Sequence, residues 1–188
     1  MDLIKAVLEA TANGENLAVQ LGTSKNYKYW KSIKDEKRCV DCEENHGKIW
    51  LMKEKPNPEP PIHPWGRCEI SAMKTIAAGT ATIDGLAGAD WTIMYNNDLP
   101  DYYISDEDAK KSGWKKGKWP SNFVSGKMIF NGIYNNSNNH LPESPGRVWY
   151  EADINYRTGK RNSQRIVWSN DGLVFVTYDH YKTFYEIV

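Results

Sequence analysis

The stretch GRVWYEADINYRTGKRNSQRIVWSNDGLVFVTYDHYKTFYEIV, residues 146–188, decides the fold. Its runs at 148–155, 165–169, 173–178 and 183–188 are rich in Val, Ile, Tyr and Trp and read as strands. Thr158-Gly159, Asn170-Asp171-Gly172 and Asp179 separate them as turns. Strands so closely spaced make an antiparallel meander. Upstream, Ser105 and Asp108 have the spacing of a capping box, and Gly113 ends that helix before Trp114. Helix first and sheet after predicts an α+β fold, with N-terminal helices packed on one face of a C-terminal antiparallel β-sheet.

Side chains alternate along a strand, so Glu151, Asp153 and Asn155 share one face. Glu151, His180, Arg161 and Arg165 supply a carboxylate, an imidazole and two guanidinium groups. Those are the groups that cleavage of RNA by its own 2′-hydroxyl needs without a metal. Glu151 is the candidate general base, His180 the candidate acid, and Arg161 and Arg165 the candidate holders of the phosphate. Taken singly, each has a plainer reading. Glu151 can pair with an arginine across the sheet, His180 can be an exposed loop histidine, and the run Arg157, Lys160, Arg161, Arg165 can be a solvated turn. Tyr181 is expected to flank the phosphate or the base, while Asp153 and Asn155 hold the scaffold.

From residue 99 to 188 the chain resembles the barnase-like bacterial guanyl-specific ribonucleases. LPDYYISDEDAKKSGW (99–114), GRVWYEADINYRTGKRNSQRIVWS (146–169) and DHYKTF (179–184) carry the likeness. The resemblance implies the microbial ribonuclease fold, metal-independent endoribonuclease activity through a 2′,3′-cyclic phosphate, no cofactor for catalysis, and the four roles just given. Two positions depart from the pattern. Asp106 stands where the family has a lysine that stabilises transition-state charge, which implies lower turnover. Ser137 and Asn138 stand where the family reads guanine with an Arg-Glu pair. An amide offers one acceptor and one donor rather than two acceptors, so guanine preference is expected to weaken. The backbone of Asn135, Asn136 and Ser137 can still cradle a base.

The formal net charge is zero, so no global field draws the protein to nucleic acid, and affinity must come from a local cluster. Abundant aromatic residues help a domain of about ninety residues build a sufficient core. No run of about twenty apolar residues suggests a membrane span, and residues 1–22 lack the basic start and apolar run of a secretion signal. Asp2 can cap a helix to about Thr11. Strands are expected at 27–33 and 48–52. The bend KPNPEPPIHPWGRC (55–68), with five prolines, forms a rigid loop. Residues 77–90, rich in Gly, Ala and Thr, read as a linker. The division is then 1–78, a small Cys/His-containing module, and 79–188, the ribonuclease-like domain.

All three cysteines fall in the first half, as Cys39-x-x-Cys42 followed by His63 and Cys68. That is structural-zinc spacing, against the plainer reading of reduced, packed thiols and a loop histidine. His46 is a poorer substitute, being just before a Gly47-Lys48 turn. KYWKSIKDEKRCVDCEENHGKIW (28–50) and PPIHPWGRC (60–68) resemble the C-terminal part of Mu-type phage head-morphogenesis (minor capsid) proteins, although Gly66 replaces a cysteine of that pattern. Joined to a nuclease, this resemblance implies a phage-associated or polymorphic toxin effector acting in a bacterial cytoplasm. It also implies phage head or portal proteins as partners and a barstar-like immunity protein presenting carboxylates to Arg161 and Arg165. The rival reading is a catalytically weakened RNA-binding or structural protein of a phage particle.

Overall fold

The computed structural model of the chain describes residues 19–33, 35–156 and 158–188. The helix expected at 2–11 and the Arg157 of the basic run lie outside those residues. The described strands are β1 (Leu21–Lys31), β2 (Ile49–Leu51), β3 (Glu69–Ile76), β4 (Tyr103–Ser105), β5 (Met128–Tyr134), β6 (Trp149–Asp153), β7 (Arg165–Ser169), β8 (Val174–Thr177) and β9 (Tyr185–Ile187). They form a single sheet in the order β2-β1-β3-β9-β8-β7-β6-β5-β4. The α-helices are α1 (Val40–Asn45), α2 (Ala89–Asn96) and α3 (Asp106–Lys111). The fold is α+β, with a large sheet and few helices.

From β5 to β9 each strand pairs antiparallel with the next, as short turns require. The sheet as a whole is mixed, and the antiparallel meander expected of the C-terminal half is one part of it. β4 runs parallel to β5, and the stretch between them, including α3, supplies the crossover that parallel strands need. β3, absent from the sequence reading, runs parallel to β9 and pairs Ile76 with Ile187. The N-terminal strands thus continue the sheet of the C-terminal half.

The two faces of the sheet are buried differently. On one, Ala89 and Ile93 of α2 pack with Ile154, Ile166 and Val176. On the other, Tyr27 and Ile49 from the N-terminal strands pack with Trp149, Val167 and Phe175. The helices do not share one layer. Ala109 of α3 joins a separate cluster with Trp114, Val124 and Ile129, and α1 contributes Cys42 to another around Trp30. The capping box forms as read, with the Ser105 hydroxyl accepting from the Asp108 amide at 3.0 Å.

Residues 77–90 are not a free linker. Ala81, Thr82, Ala89 and Asp90 are buried, and the Asp90 carboxylate accepts the amides of Gly79 (2.7 Å) and Ala81 (2.9 Å) and the Thr82 hydroxyl (2.6 Å). The amide of Ile83 donates to the Asn155 side chain at 2.9 Å. Small residues here allow close approach to the meander, and a composition that mimics flexibility serves packing instead.

Candidate functional site

Asp153 ends β6 opposite Arg165 of β7, fully buried and surrounded by donors. Its carboxylate accepts from both Nε and a terminal nitrogen of Arg161 (the latter at 2.6 Å), from Asn131 Nδ2 at 3.0 Å and from the Tyr156 hydroxyl at 2.8 Å. Arg165 Nε lies 3.0 Å from the same group. One carboxylate therefore engages both guanidinium groups, hydrogen-bonded to Arg161 and ion-paired with Arg165, whose Nη1 donates to the carbonyls of Asn162 and Gln164. Trp114 supports Arg161 from the side, its ring centre 5.5 Å from the guanidinium carbon. Asp153 thus has the scaffold role read from sequence. Asn155 lies in the left-handed region (φ 62°), with its amide tied to Ile83 and Gln164.

Glu151 lies two residues before Asp153, between Gly132 of β5 and Val167 of β7. Burial pushes its carboxyl above the usual carboxylate range. The Tyr181 hydroxyl, donating to Glu151 Oε2 at 2.6 Å, and the charges of Arg165 and Arg161 act in the opposite sense. Tyr181 also stacks on Tyr134, with ring centres 5.1 Å apart. The Tyr134 hydroxyl is pushed up to about 12, first by burial and then by the Glu151 charge.

His180 is exposed, with its ring 4.7 Å from that of Tyr181, so one loop carries an imidazole next to the phenol that donates to Glu151. His180 and Tyr181 both have positive φ (61° and 66°), a conformation that costs non-glycine residues roughly 1–3 kcal/mol each. The loop is held by several bonds. Asp179 Oδ1 accepts the Thr183 and Lys182 amides (2.9 and 3.2 Å), the His180 amide donates to Ser163, and the Tyr181 amide donates to Thr177 Oγ1.

The segment expected to hold a base contains Asn135, Asn136, Ser137 and Asn138. Three of these are exposed, whereas the Asn136 side chain is buried and braces the loop through Leu141 and Glu143. The Asn138 amide oxygen accepts from the His140 amide (3.2 Å) and the Tyr134 hydroxyl (3.5 Å), so its own loop already uses that acceptor.

Sequence reading missed the wall facing this loop. A cavity of about 330 Å³ is lined by Arg38, Glu43 and His46 on one side and by Asn138, His140 and His180 on the other. The Ile49 amide donates to the His140 carbonyl (2.8 Å), and His140 Nδ1 donates to the Tyr181 carbonyl (3.2 Å). His46 accepts from the Ser32 amide, and burial together with Arg38 pushes its ring down to about 4. No spacing in the sequence could reveal these neighbours, which come from opposite ends of the chain. Cys39, Cys42 and His63 meet elsewhere, around α1, with Cys68 beside Cys42.

A ribonuclease family model matches residues 88–188. A ribonuclease of Heyndrickxia coagulans is 43% identical over 107 residues, covering 56% of this chain and 95% of that protein. Ribonucleases of Bacillus intermedius and Bacillus pumilus are also 43% identical over 107 residues, a match that spans 64% of each of those two longer proteins.

Removing Asp153 leaves two partly or fully buried guanidinium groups without their common partner. Asp153→Ala is expected to lower the unfolding free energy by about 3–5 kcal/mol. Equilibrium urea denaturation measures this, and a midpoint close to that of the parent would contradict the anchoring role.

Proposed function

The chain belongs to the ribonuclease family, a family of endoribonucleases, and from this we propose that it cleaves RNA by 2′-hydroxyl transesterification at the face carrying Glu151. Glu151 takes the 2′-hydroxyl proton as that oxygen bonds to phosphorus. His180, as the imidazolium, protonates the departing 5′-oxygen as the P–O5′ bond breaks. The 2′,3′-cyclic phosphate then opens by the reverse roles, with His180 accepting a proton from water and Glu151 returning one to the 2′-oxygen. Arg161 and Arg165, set in advance by Asp153, hold the phosphate oxygens as charge accumulates. Side chains alone carry these steps. The observation that supports the reading best is the 2.6 Å bond from Tyr181 to Glu151, since it ties the strand bearing the base to the loop bearing the acid.

Tyr181, with the loop of Asn135, Asn136, Ser137 and Asn138, forms the substrate side of this reading, and base preference is broader than guanine alone. In this reading the chain divides near residue 79, and the N-terminal module, whose strands continue the ribonuclease sheet, serves as the tether. The resemblance of 28–68 to phage head-morphogenesis proteins supports an effector carried by a phage or phage-like particle into a bacterial cytoplasm. Phage head or portal proteins are the tethering partners in that picture, and a barstar-like immunity protein covers Arg161 and Arg165. Asp106 and the self-occupied Asn138 favour the second reading, a weakened RNA-binding or structural protein of the particle.

A digest of mixed-sequence RNA in the presence of chelator separates the two. Expected are 2′,3′-cyclic phosphate ends and cuts not confined to G. Glu151→Gln and His180→Ala should each lower kcat on the order of 10²–10⁴-fold. Either variant keeping the parent rate overturns the assignment.

The pH profile tests Glu151 separately. Its base function requires the ionised form, which the Tyr181 hydrogen bond favours. Tyr181→Phe removes a bond to a charged group worth about 1.5 kcal/mol, so the acid limb of kcat/KM should move up by about one pH unit. An unmoved or lowered limb would count against Glu151.

Asp106 lies in the first turn of α3 and pairs with Lys110. Asp106→Lys reverses its charge and should raise kcat by about tenfold, equivalent to roughly 1.4 kcal/mol of transition-state stabilisation. An unchanged or lower rate excludes Asp106 as the cause of slow turnover.

A further inference from the structure

Cys39, Cys42 and His63 come from two segments, the start of α1 and the proline-rich bend, yet their ligand atoms all lie within 4.8 Å of one another. Cys39 is the N-cap of α1, and its sulfur accepts the Cys42 amide at 3.4 Å. His63 Nε2 is 3.1 Å from Cys39 Sγ and 3.9 Å from Cys42 Sγ. Around a tetrahedral zinc with ordinary bond lengths, nitrogen and sulfur ligands sit roughly 3.6 Å apart, between these two values. His63 Nδ1 lies 3.2 Å from the Pro64 carbonyl. A carbonyl only accepts, so Nδ1 carries the proton and the Nε2 lone pair points at the thiols. Metal-ligating histidines are oriented in this way by a partner on the other ring nitrogen.

Cys68 is buried in the same small cluster as Cys42, although it stands outside the 4.8 Å set. Its sulfur has to move toward that set to serve as a fourth ligand. Around the thiols packs a small cluster of Trp30, Trp50, Ile62 and Ile70. So small a core gains from a covalent or metal staple. The three cysteines are free, and two of them are buried. That arrangement is closed, as structural sites are, and leaves no open position for a substrate.

We propose that Cys39, Cys42, His63 and Cys68 bind one zinc ion, a structural site separate from the proposed catalytic face. The ion fastens the proline-rich bend to α1, and so fixes the helix whose Glu43 and His46 face the cavity beside His180.

The test uses the full chain, purified without chelator. Elemental analysis should give about one zinc per chain. Cobalt exchanged for zinc should show the visible absorption of a tetrahedral cobalt–thiolate centre. Thiol titration of the native protein should find the cysteines protected, and a strong chelator should make all three reactive. Cys39→Ser, His63→Ala and Cys68→Ser should each lose the metal or bind it far more weakly. Because a variant can fail to fold, the parent protein decides on its own. Zinc at background level after refolding with added zinc, no cobalt–thiolate absorption, or a disulfide between any two of the cysteines overturns the proposal. Retention of stoichiometric zinc by the Cys39→Ser/His63→Ala double variant overturns it as well.

Discussion

A carboxylate that never meets water, Asp153, sets the terms for the rest of the site. Burying an isolated charge is prohibitive, and it becomes acceptable only when paired and hydrogen-bonded on every side. Two guanidinium groups, an amide and a phenol meet that demand. The same contacts help determine where Arg161 and Arg165 stand, because Arg161 has one edge and Arg165 its Nε against Asp153. Electrostatic catalysis depends on charges positioned before the reaction begins. Here the folding requirement of one acid does the positioning for two bases.

The strand that carries Asp153 also carries Glu151, and the two acids have different surroundings. Asp153 is neutralised by direct ion pairs, whereas Glu151 has a phenol as its nearest donor and the arginine charges at greater reach. Burial therefore prevails at Glu151 and raises its proton affinity, a property suited to its proposed role of accepting and returning a proton. Across from it, the His180–Tyr181 loop holds two consecutive residues in the left-handed region. The bonds to Asp179, Thr177 and Ser163 offset that strain and hold the turn in place beside Glu151's donor, Tyr181. Asp179, in the Asp-His-Tyr motif, acts as the brace of the turn.

How much of this was legible follows from the range of the interactions. The meander, its turns and the capping box are written in local composition, and they form within a residue or two of their expected bounds. Glu151, Arg161, Arg165 and His180 stood out because a long, ordered motif surrounds them. β3 did not, since one sheet neighbour, β9, lies at the far end of the chain and the other, β1, lies beyond α1 and the proline-rich bend. The stretch 77–90 misled for a related reason. Gly, Ala and Thr are what a flexible tether would use, and also what close packing beneath Tyr178 and Asn155 requires. The Tyr178 hydroxyl donating to the Ala81 carbonyl at 2.8 Å shows which demand applies here.

The contact of Gly47 with His140 and Lys182 is built with little tolerance. A side chain at Gly47 would overlap the carbonyl oxygen of Lys182 and crowd the His140 ring, and the backbone there has φ 89°. Glycine is thus required twice over, by conformation and by space. Through His140 the β2 edge is joined to the loop of Asn136 and Asn138, and through the Tyr181 carbonyl to the strained turn beside Glu151. A shift of the N-terminal strands would therefore be felt at Tyr181 through hydrogen bonds already present. The N-terminal segment is consequently part of the cleft's wall, and any device that stiffens it also stiffens the setting of the proposed acid and base.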